Sequence, residues 1–210
     1  MRSRFVIGID EVGRGPVAGP LYVCAFALPA GFRFNRDGLP PLRDSKRLSG
    51  IQRKKWLAFF SGVRREGKVA WTLARVPNDT IDRIGIAEAA RRAATRAASA
   101  LVRKEGRPSA IFLDGSLFFD GRKNAELRGI PAHTLTKGDE RIPAIACASI
   151  VAKVRRDAYM TRMESSFPRY GFKSHKGYGT KAHRRAIRRH GPSDMHRLTF
   201  IRGWVKIPRK

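Results

Sequence analysis

Acidic residues are scarce in this chain. Its 210 residues include 17 Asp and Glu against 44 Lys and Arg, a formal charge of +27. A surplus of this size bears on the partners of a protein rather than on its fold, and nucleic acid is the first candidate, ahead of an anionic membrane surface. Hydrophobic residues still make up 42% of the sequence, so one domain with a buried core is expected rather than disorder.

Long apolar runs are also missing. No stretch approaches the roughly 20 residues that a membrane span needs, so we expect no membrane partner. The opening MRSRFVIGID lacks the long apolar segment and cleavage site of a secretory signal. Cysteine is limited to Cys24 and Cys147, both within apolar runs, which predicts buried free thiols and a cytoplasmic location.

Several catalytic motifs are absent from the sequence. The five histidines lack the i, i+4 spacing of a helical zinc pair, and there is no CxxC. No GxxxxGK[ST] phosphate loop occurs, and Ser149 lacks the GxSxG context of a serine hydrolase. These absences argue against zinc catalysis, P-loop nucleotide hydrolysis and serine-hydrolase chemistry.

Hydrophobic periodicity predicts strands alternating with helices. The predicted strands cover 5–10, 21–28, 68–76, 110–114 and, weakly, 132–136. The predicted helices begin after Ser49, near Asp79, at Pro143 and after Thr180, and the second runs to about Lys104. Its apolar stripe comprises Ile84, Ala87, Ala94, Ala98 and Leu101. Because the first two strands form an apparent hairpin, the prediction is an α/β fold with a mixed sheet.

Carboxylates follow the predicted strands. FVIGID ends at Asp10 with Glu11 directly after it, AIFLD ends at Asp114, and Asp139 lies just before the small-residue helix. Each Asp alone could cap a loop or pair with an arginine, and Asp139 could be a charge favoured by a helix dipole. The adjacent carboxylates of Asp10 and Glu11, however, would each need a cation or hydrogen-bond donors to offset the cost of desolvation.

Hard oxygen ligands from three segments suit Mg²⁺ or Mn²⁺. Two such ions roughly 3.5–4 Å apart can activate water and stabilise the leaving oxygen of a phosphodiester. The residues therefore fit a metal-dependent phosphodiesterase. Composition alone fits equally a non-catalytic basic protein that binds nucleic acid, and a nuclease that ignores the sugar is a third possibility.

Five ordered motifs span almost the whole chain. In order, they are GIDEVGRGPVAGP at 8–20, LRDSK at 42–46, LDG at 113–115, KGDERIPAIACASIVAKVRRD at 137–157, and GFKSHKGYGTKAH at 171–183 with GPSDMHR at 191–197. Together they resemble the motifs of type 2 ribonucleases H, the ribonuclease HII group.

The resemblance implies a ribonuclease H-like fold, a mixed five-stranded sheet flanked by helices with a helical C-terminal part. It implies one catalytic domain over 1–210, in which roughly 158–210 form a basic substrate-binding part. It also implies a metal-dependent endonuclease that cleaves the RNA strand of RNA–DNA hybrids and cuts 5′ of single ribonucleotides in duplex DNA, leaving 3′-hydroxyl and 5′-phosphate ends.

The resemblance also implies roles for individual residues. Asp10, Glu11, Asp114 and Asp139 would be catalytic ligands of two Mg²⁺ or Mn²⁺ ions. The residues that would contact substrate are Gly13, Arg14 and Gly15 at the ribonucleotide 2′-hydroxyl, Lys46 at a phosphate and Tyr178 on the next sugar.

Other residues receive structural interpretations. Ser149 and Cys147 are interpreted as packing residues, and Asp157 as an ion-pair partner of Lys153. The segment between Asp114 and Asp139 is longer than in common bacterial members, so the loop at 116–130 has no assigned role. The C-terminal GWVKIPRK carries no Gln-plus-paired-aromatic motif of the kind that docks sliding clamps, so we expect a monomer without such a tether.

Overall fold

The computed structural model describes residues 4–34, 38–42, 47–121 and 124–205. A five-stranded mixed sheet with strand order β3-β2-β1-β4-β5 forms its centre. The strands are β1 Phe5–Val12, β2 Leu21–Pro29, β3 Ala70–Val76, β4 Ala110–Asp114 and β5 Ala132–Leu135. β1, β2 and β3 pair antiparallel, whereas β4 runs parallel to β1 and β5 parallel to β4. The predicted mixed sheet and its initial hairpin are confirmed.

Helices flank this sheet and form the C-terminal part of the chain. They are α1 Gly50–Arg65, α2 Asn78–Ile84, α3 Ile86–Glu105, α4 Gly138–Arg141, α5 Pro143–Ser166, α6 Phe172–His175 and α7 Lys181–His190, and a 3₁₀ turn covers Leu198–Phe200. The predicted caps are present. Ser49 forms a capping box with Gln52, and the Thr180 side chain accepts from the backbone N–H of His183.

The single helix predicted from Asp79 to Lys104 is wrong. The chain breaks into α2 and α3 at Gly85, whose φ of 78° lies in the region that favours glycine. Periodicity missed the break because apolar residues continue on both sides of it. Ala87 is exposed rather than part of the apolar stripe, and α3 instead buries a run of alanines together with Leu101.

The two faces of the sheet are covered differently. On one face, the alanine stripe of α3 packs mainly against β2 and β3, and to a lesser extent against β1. On the other, α1 and α5 enclose an aromatic cluster that includes Phe26, Trp56 and Phe60. Cys24 and Cys147 are buried free thiols on this second face, as predicted.

Helix α5 lies directly against β1 at Gly8. A Cβ added at Gly8 would stand well inside van der Waals contact of the Ala144 carbonyl carbon and the Ile145 nitrogen. The absence of a side chain therefore sets the distance between helix and strand. Because Asp10 and Glu11 follow Gly8 by two and three residues near the end of β1, the same contact positions α5 beside those acids.

No helix in the described part of the chain is long and apolar enough to cross a membrane. This agrees with the absence of long apolar runs in the sequence.

Gly8→Ala tests the close approach of α5 to β1. We expect the free energy of unfolding to fall by roughly 1–3 kcal/mol, because the new methyl group forces α5 away from β1. Gly62→Ala in α1 is the matched control. A Cβ there meets nothing within 4 Å, so it should raise stability by about 0.5–1 kcal/mol. Urea unfolding measures both, and equal effects would contradict the packing described.

Candidate active site

Sheet topology brings the acids of three segments to one edge. β1 and β4 are adjacent and parallel, with Ile9 opposite Leu113, so Asp10 and Asp114 leave the sheet side by side. β5 pairs in parallel with β4, with Leu135 opposite Asp114, and leads into α4, which carries Asp139. Parallel strands end at the same edge of a sheet, which is why acids far apart in sequence meet here.

Asp114 is held by the start of α4. Its Oδ1 accepts from the backbone N–H of Gly138 at 2.7 Å and of Asp139 at 3.4 Å. A Cβ on Gly138 would lie 3.3 Å from that oxygen and 2.6 Å from Cδ1 of Ile145, so a larger residue here would crowd both side chains. Lys137 directly before it has a φ of 54°, which turns the chain toward the site.

The two adjacent acids at the end of β1 are strongly desolvated. Burial raises the pKa of Asp10 to about 6, and the nearby Asp114 adds to the shift. Burial raises the pKa of Glu11 to about 7, with further contributions from the charges of Asp10 and Asp114. The three carboxylates therefore repel one another in a poorly hydrated place, which favours a cation among them.

Two α5 residues compensate part of this charge. Lys153 Nζ donates to Ser149 Oγ at 2.6 Å, and the Ser149 hydroxyl hydrogen-bonds Asp10. The charge of Lys153 and this hydrogen bond both lower the pKa of Asp10 against the effect of burial. The interpretation of Ser149 as a packing residue is wrong, since its hydroxyl links a lysine to a site carboxylate. Asp157 pairs with Arg53 at 3.6 Å.

The donor set fits a hard divalent cation. Oε2 of Glu11 is buried and has no hydrogen-bond partner, although Oε1 lies 3.4 Å from Nη1 of Arg14. An orphaned carboxylate oxygen beside two further carboxylates is the environment that Mg²⁺ or Mn²⁺ stabilises. As placed, no three His, Cys, Asp or Glu side chains in the described ranges already converge as ligands. Asp114 faces backbone amides instead.

The loop from Gly13 to Pro20 is held by two buried arginines of distant segments. Arg197 donates to the carbonyls of Gly13, Arg14 and Gly19 at 2.7–3.0 Å. Arg156 donates to the carbonyls of Ala18 and Pro20 at 3.1 and 3.0 Å, and to that of Lys176 at 2.8 Å. Each guanidinium thus donates hydrogen bonds to several backbone carbonyls that the strands of the sheet do not pair.

Glycine is required in this loop at Gly13. Its φ is 97°, and a Cβ there would collide with Nε of Arg156. Gly15 is exposed and has open space around its Cα. Arg14 lies between them, partly exposed, with its side chain directed toward Glu11.

Tyr178 lies beside this loop and is about half exposed, at 49%. The carbonyl of the preceding Gly177 accepts from the N–H groups of Val17 and Ala18 at 2.9 and 3.2 Å. The tyrosine is thereby tied to the glycine loop. Lys46 lies outside the described residues, so its predicted phosphate contact stays a prediction.

Two neutral histidines, His196 and His183, form a hydrogen-bonded chain that ends at the Tyr178 carbonyl. The Ser193 N–H donates to Nδ1 of His196 at 2.8 Å, so Nε2 of His196 carries the proton and donates to Nε2 of His183 at 3.0 Å. Nδ1 of His183 then donates to the Tyr178 carbonyl at 2.8 Å. Burial lowers the pKa of both histidines to about 4, which keeps them neutral near pH 7.

Sequence reasoning missed Ser149, Lys153, Arg156 and Arg197 as site residues. Ser149 sits in a run of small residues that reads as packing. The arginines are indistinguishable by composition from the many other cations of this chain. The available signal was that Arg156 and Arg197 lie within the matched motifs. A motif match does not indicate whether a side chain is buried.

Comparison with known proteins agrees with this architecture. A family model for ribonuclease HII matches residues 7–203. Ribonuclease HII of Pelodictyon phaeoclathratiforme is 40% identical over 198 residues, covering 94% of this chain and 90% of that protein.

Two solved structures share the fold. A chain of the PCNA:RNase HII complex from Archaeoglobus fulgidus superposes with a TM-score of 0.71 at 24% identity, covering 98% of this chain and 97% of that one. Bst-RNase HIII in complex with Mn²⁺ gives a TM-score of 0.67 at 21% identity, with coverages of 94% and 67%.

The fold is therefore ribonuclease H-like, as predicted. The chain belongs to the ribonuclease HII family, and it is an endoribonuclease. The family membership and the endoribonuclease activity predicted from the five motifs are confirmed, and the alternative of a non-catalytic nucleic-acid-binding protein is set aside.

Asp10→Asn should stabilise the metal-free protein. The Asp10 pKa is about 6 when folded and 3.8 when unfolded, so the folded state binds more protons and wild-type stability falls as pH rises through this window. At pH 7 in EDTA we expect the variant to gain about 1–3 kcal/mol in free energy of unfolding.

The gain should shrink below pH 6 and vanish near pH 4, where wild-type Asp10 is protonated. Urea unfolding across this pH range measures it, with Asp79→Asn as an exposed control acid. A variant less stable than wild type at pH 7 would contradict the desolvation described.

Proposed function

We propose that this protein hydrolyses the RNA strand of RNA–DNA hybrids and cuts 5′ of single ribonucleotides embedded in duplex DNA. Two divalent cations would be held by Asp10, Glu11, Asp114 and Asp139. When bound, the ions would supply an activated water and neutralise charge on the leaving oxygen. Water adds to phosphorus and the P–O3′ bond breaks, so a 3′-hydroxyl and a 5′-phosphate result.

The observation that carries the proposal is that β1, β4 and α4 bring four acids to one edge of the sheet, two of them with raised pKa values. In a chain with a charge of +27, a desolvated anionic cluster is costly unless a cation occupies it. The phosphate of a substrate would also be repelled by the acids alone. Both facts favour a metal-filled site rather than a structural ion-pair network.

The loop Gly13–Arg14–Gly15 would select the sugar. The 2′-hydroxyl is the group that distinguishes RNA from DNA at a given position. Backbone groups can approach it closely where side chains are absent, as at exposed Gly15. Arg156 and Arg197 hold this loop from behind, so its geometry is set before substrate binds.

Tyr178 would stack on the sugar of the following deoxynucleotide. Its ring is half exposed, and its backbone is fixed by the histidine chain and by the glycine loop. The basic part from about 158 to 210 would supply phosphate contacts, and Lys46 another. We further propose that the protein acts in the cytoplasm as a monomer, without a sliding-clamp tether.

Junction cleavage tests the proposal directly. A labelled DNA duplex with one ribonucleotide is incubated with Mg²⁺ or Mn²⁺ beside an all-DNA duplex and an RNA–DNA hybrid. We expect a single cut 5′ of the ribonucleotide, cutting of the hybrid, and none of the all-DNA duplex. Asp10→Asn should reduce cleavage to background while duplex binding persists, because it removes a metal ligand and leaves the basic surface intact.

Two outcomes would contradict the proposal. Cutting of the all-DNA duplex would indicate a nuclease that ignores the sugar. Equal activity of wild type and Asp10→Asn would mean that the acids at the end of β1 are not catalytic.

A further inference from the structure

Tyr178 extends its half-exposed ring from a turn whose backbone is fixed on both sides. The two residues before it, Lys176 and Gly177, have φ values of 51° and 87°, a region that a lysine rarely adopts unless its surroundings hold it there. The carbonyl of Lys176 accepts from Nη1 of Arg156 at 2.8 Å, and that of Gly177 accepts from the glycine loop. The Tyr178 N–H donates to the His175 carbonyl at 2.9 Å. An exposed ring on so constrained a backbone points to a contact surface.

Histidine side chains complete this turn. Nδ1 of His175 accepts from the Gly177 N–H at 3.2 Å, so Nε2 of His175 carries the proton and donates to the Tyr170 carbonyl at 2.7 Å. Nδ1 of His183 donates to the Tyr178 carbonyl at 2.8 Å. The two imidazoles are stacked, with 4.1 Å between their centroids and 16° between their planes. The turn is thus held by a stacked pair of rings, each with one nitrogen bonded to its backbone.

The stacked pair is itself fixed by its neighbours. His196 donates from Nε2 to Nε2 of His183, which leaves the proton of His183 on Nδ1, facing the Tyr178 carbonyl. Phe172 packs edge-on against both stacked rings, at interplanar angles of 84° and 86°. His183 and His196 are buried. Tilting either ring would leave a buried nitrogen or carbonyl without its partner, so the array favours one arrangement.

We propose that His175, His183 and His196 are positioning residues for the substrate, acting through the turn that carries Tyr178. This role rests on the proposed function, since Tyr178 must contact the strand beside the ribonucleotide. A ring that is already in place does not have to be immobilised by the substrate, which lowers the entropic cost of association. The histidines therefore contribute to affinity through Tyr178, and their loss should change KM rather than kcat.

Two substitutions at His183 test the hydrogen bond to the turn. Leu removes the donor, whereas Asn places an amide N–H near the position of Nδ1. We expect His183→Leu to raise the KM for the single-ribonucleotide duplex about fivefold, with kcat within about twofold. His183→Asn should return the KM to within about twofold of wild type. His133→Leu, at an exposed histidine of β5, is the control and should change neither constant.

A double-mutant cycle with Tyr178 distinguishes positioning from a general loss of stability. Because His183 would act only through Tyr178, His183→Leu should cause no further rise in KM in a Tyr178→Ala background. A further rise there would overturn the inference, as would wild-type KM in either single variant. If His183→Leu does not fold, His196→Leu takes its place in the cycle, since it removes the donor that fixes the His183 tautomer. Additive effects of His196→Leu and Tyr178→Ala would equally contradict the positioning role.

A binding measurement in EDTA separates this inference from the proposed function. Fluorescence anisotropy of a labelled single-ribonucleotide duplex gives Kd without cleavage, at a salt concentration that suppresses non-specific phosphate contacts. A loss of affinity in His183→Leu that disappears in the Tyr178→Ala background supports the positioning role even if junction cutting fails. Additive losses of affinity would overturn that role and leave the catalytic proposal standing.

Imidazole ¹⁵N NMR of the wild-type protein in EDTA tests the array itself. At pH 7 the protonated nitrogen should be Nε2 in His175 and His196, and Nδ1 in His183, because each tautomer is set by the partner of the other nitrogen. A His183 protonated at Nε2 instead would remove the donor to the Tyr178 carbonyl, and the inference would fail.

Discussion

Backbone carbonyls between Gly13 and Pro20 need donors that the sheet cannot supply, and two buried guanidiniums supply them. Arg197 and Arg156 come from the C-terminal segment and from α5, yet both converge on this one loop. An unsatisfied buried carbonyl costs about 1–3 kcal/mol, so removing either side chain would release several such groups together. The arginines thereby join the C-terminal part of the chain to the end of β1, where the acids lie.

The close packing of α5 on β1 forms the acid site. The same packing desolvates the carboxylates, so their ionised form is unfavourable without a cation. Gly8 lets α5 lie on β1, which buries Asp10 and places Ser149 and Lys153 next to it. Burial and like charge raise the pKa values of Asp10 and Glu11 together. The acids are therefore costly to ionise in the metal-free protein, and a divalent ion bound among them would recover the stability lost to desolvation.

Much of this arrangement was predictable because it depends on local pattern. Strands ending in Asp, the hairpin and the caps of α1 and α7 each follow from a few adjacent residues, and the motif match assigned the acids to one site. The break at Gly85 was not predictable, since helical periodicity continues across it. Nor were the buried positions of Arg156 and Arg197, because burial is a property of the assembled fold, and a cation without an acidic partner gives no sign of it in sequence.

The most direct test of the account is a Mn²⁺ titration followed by thermal unfolding at pH 7. If the carboxylates at the ends of β1 and β4 and in α4 form a divalent-cation site, the wild-type unfolding midpoint rises saturably with Mn²⁺, because an ion that binds the folded state alone stabilises it. Asp10→Asn then loses most of that rise, and Asp79→Asn, an exposed acid of α2, keeps it. No saturable rise in wild type, or the same rise in Asp10→Asn, would contradict the account.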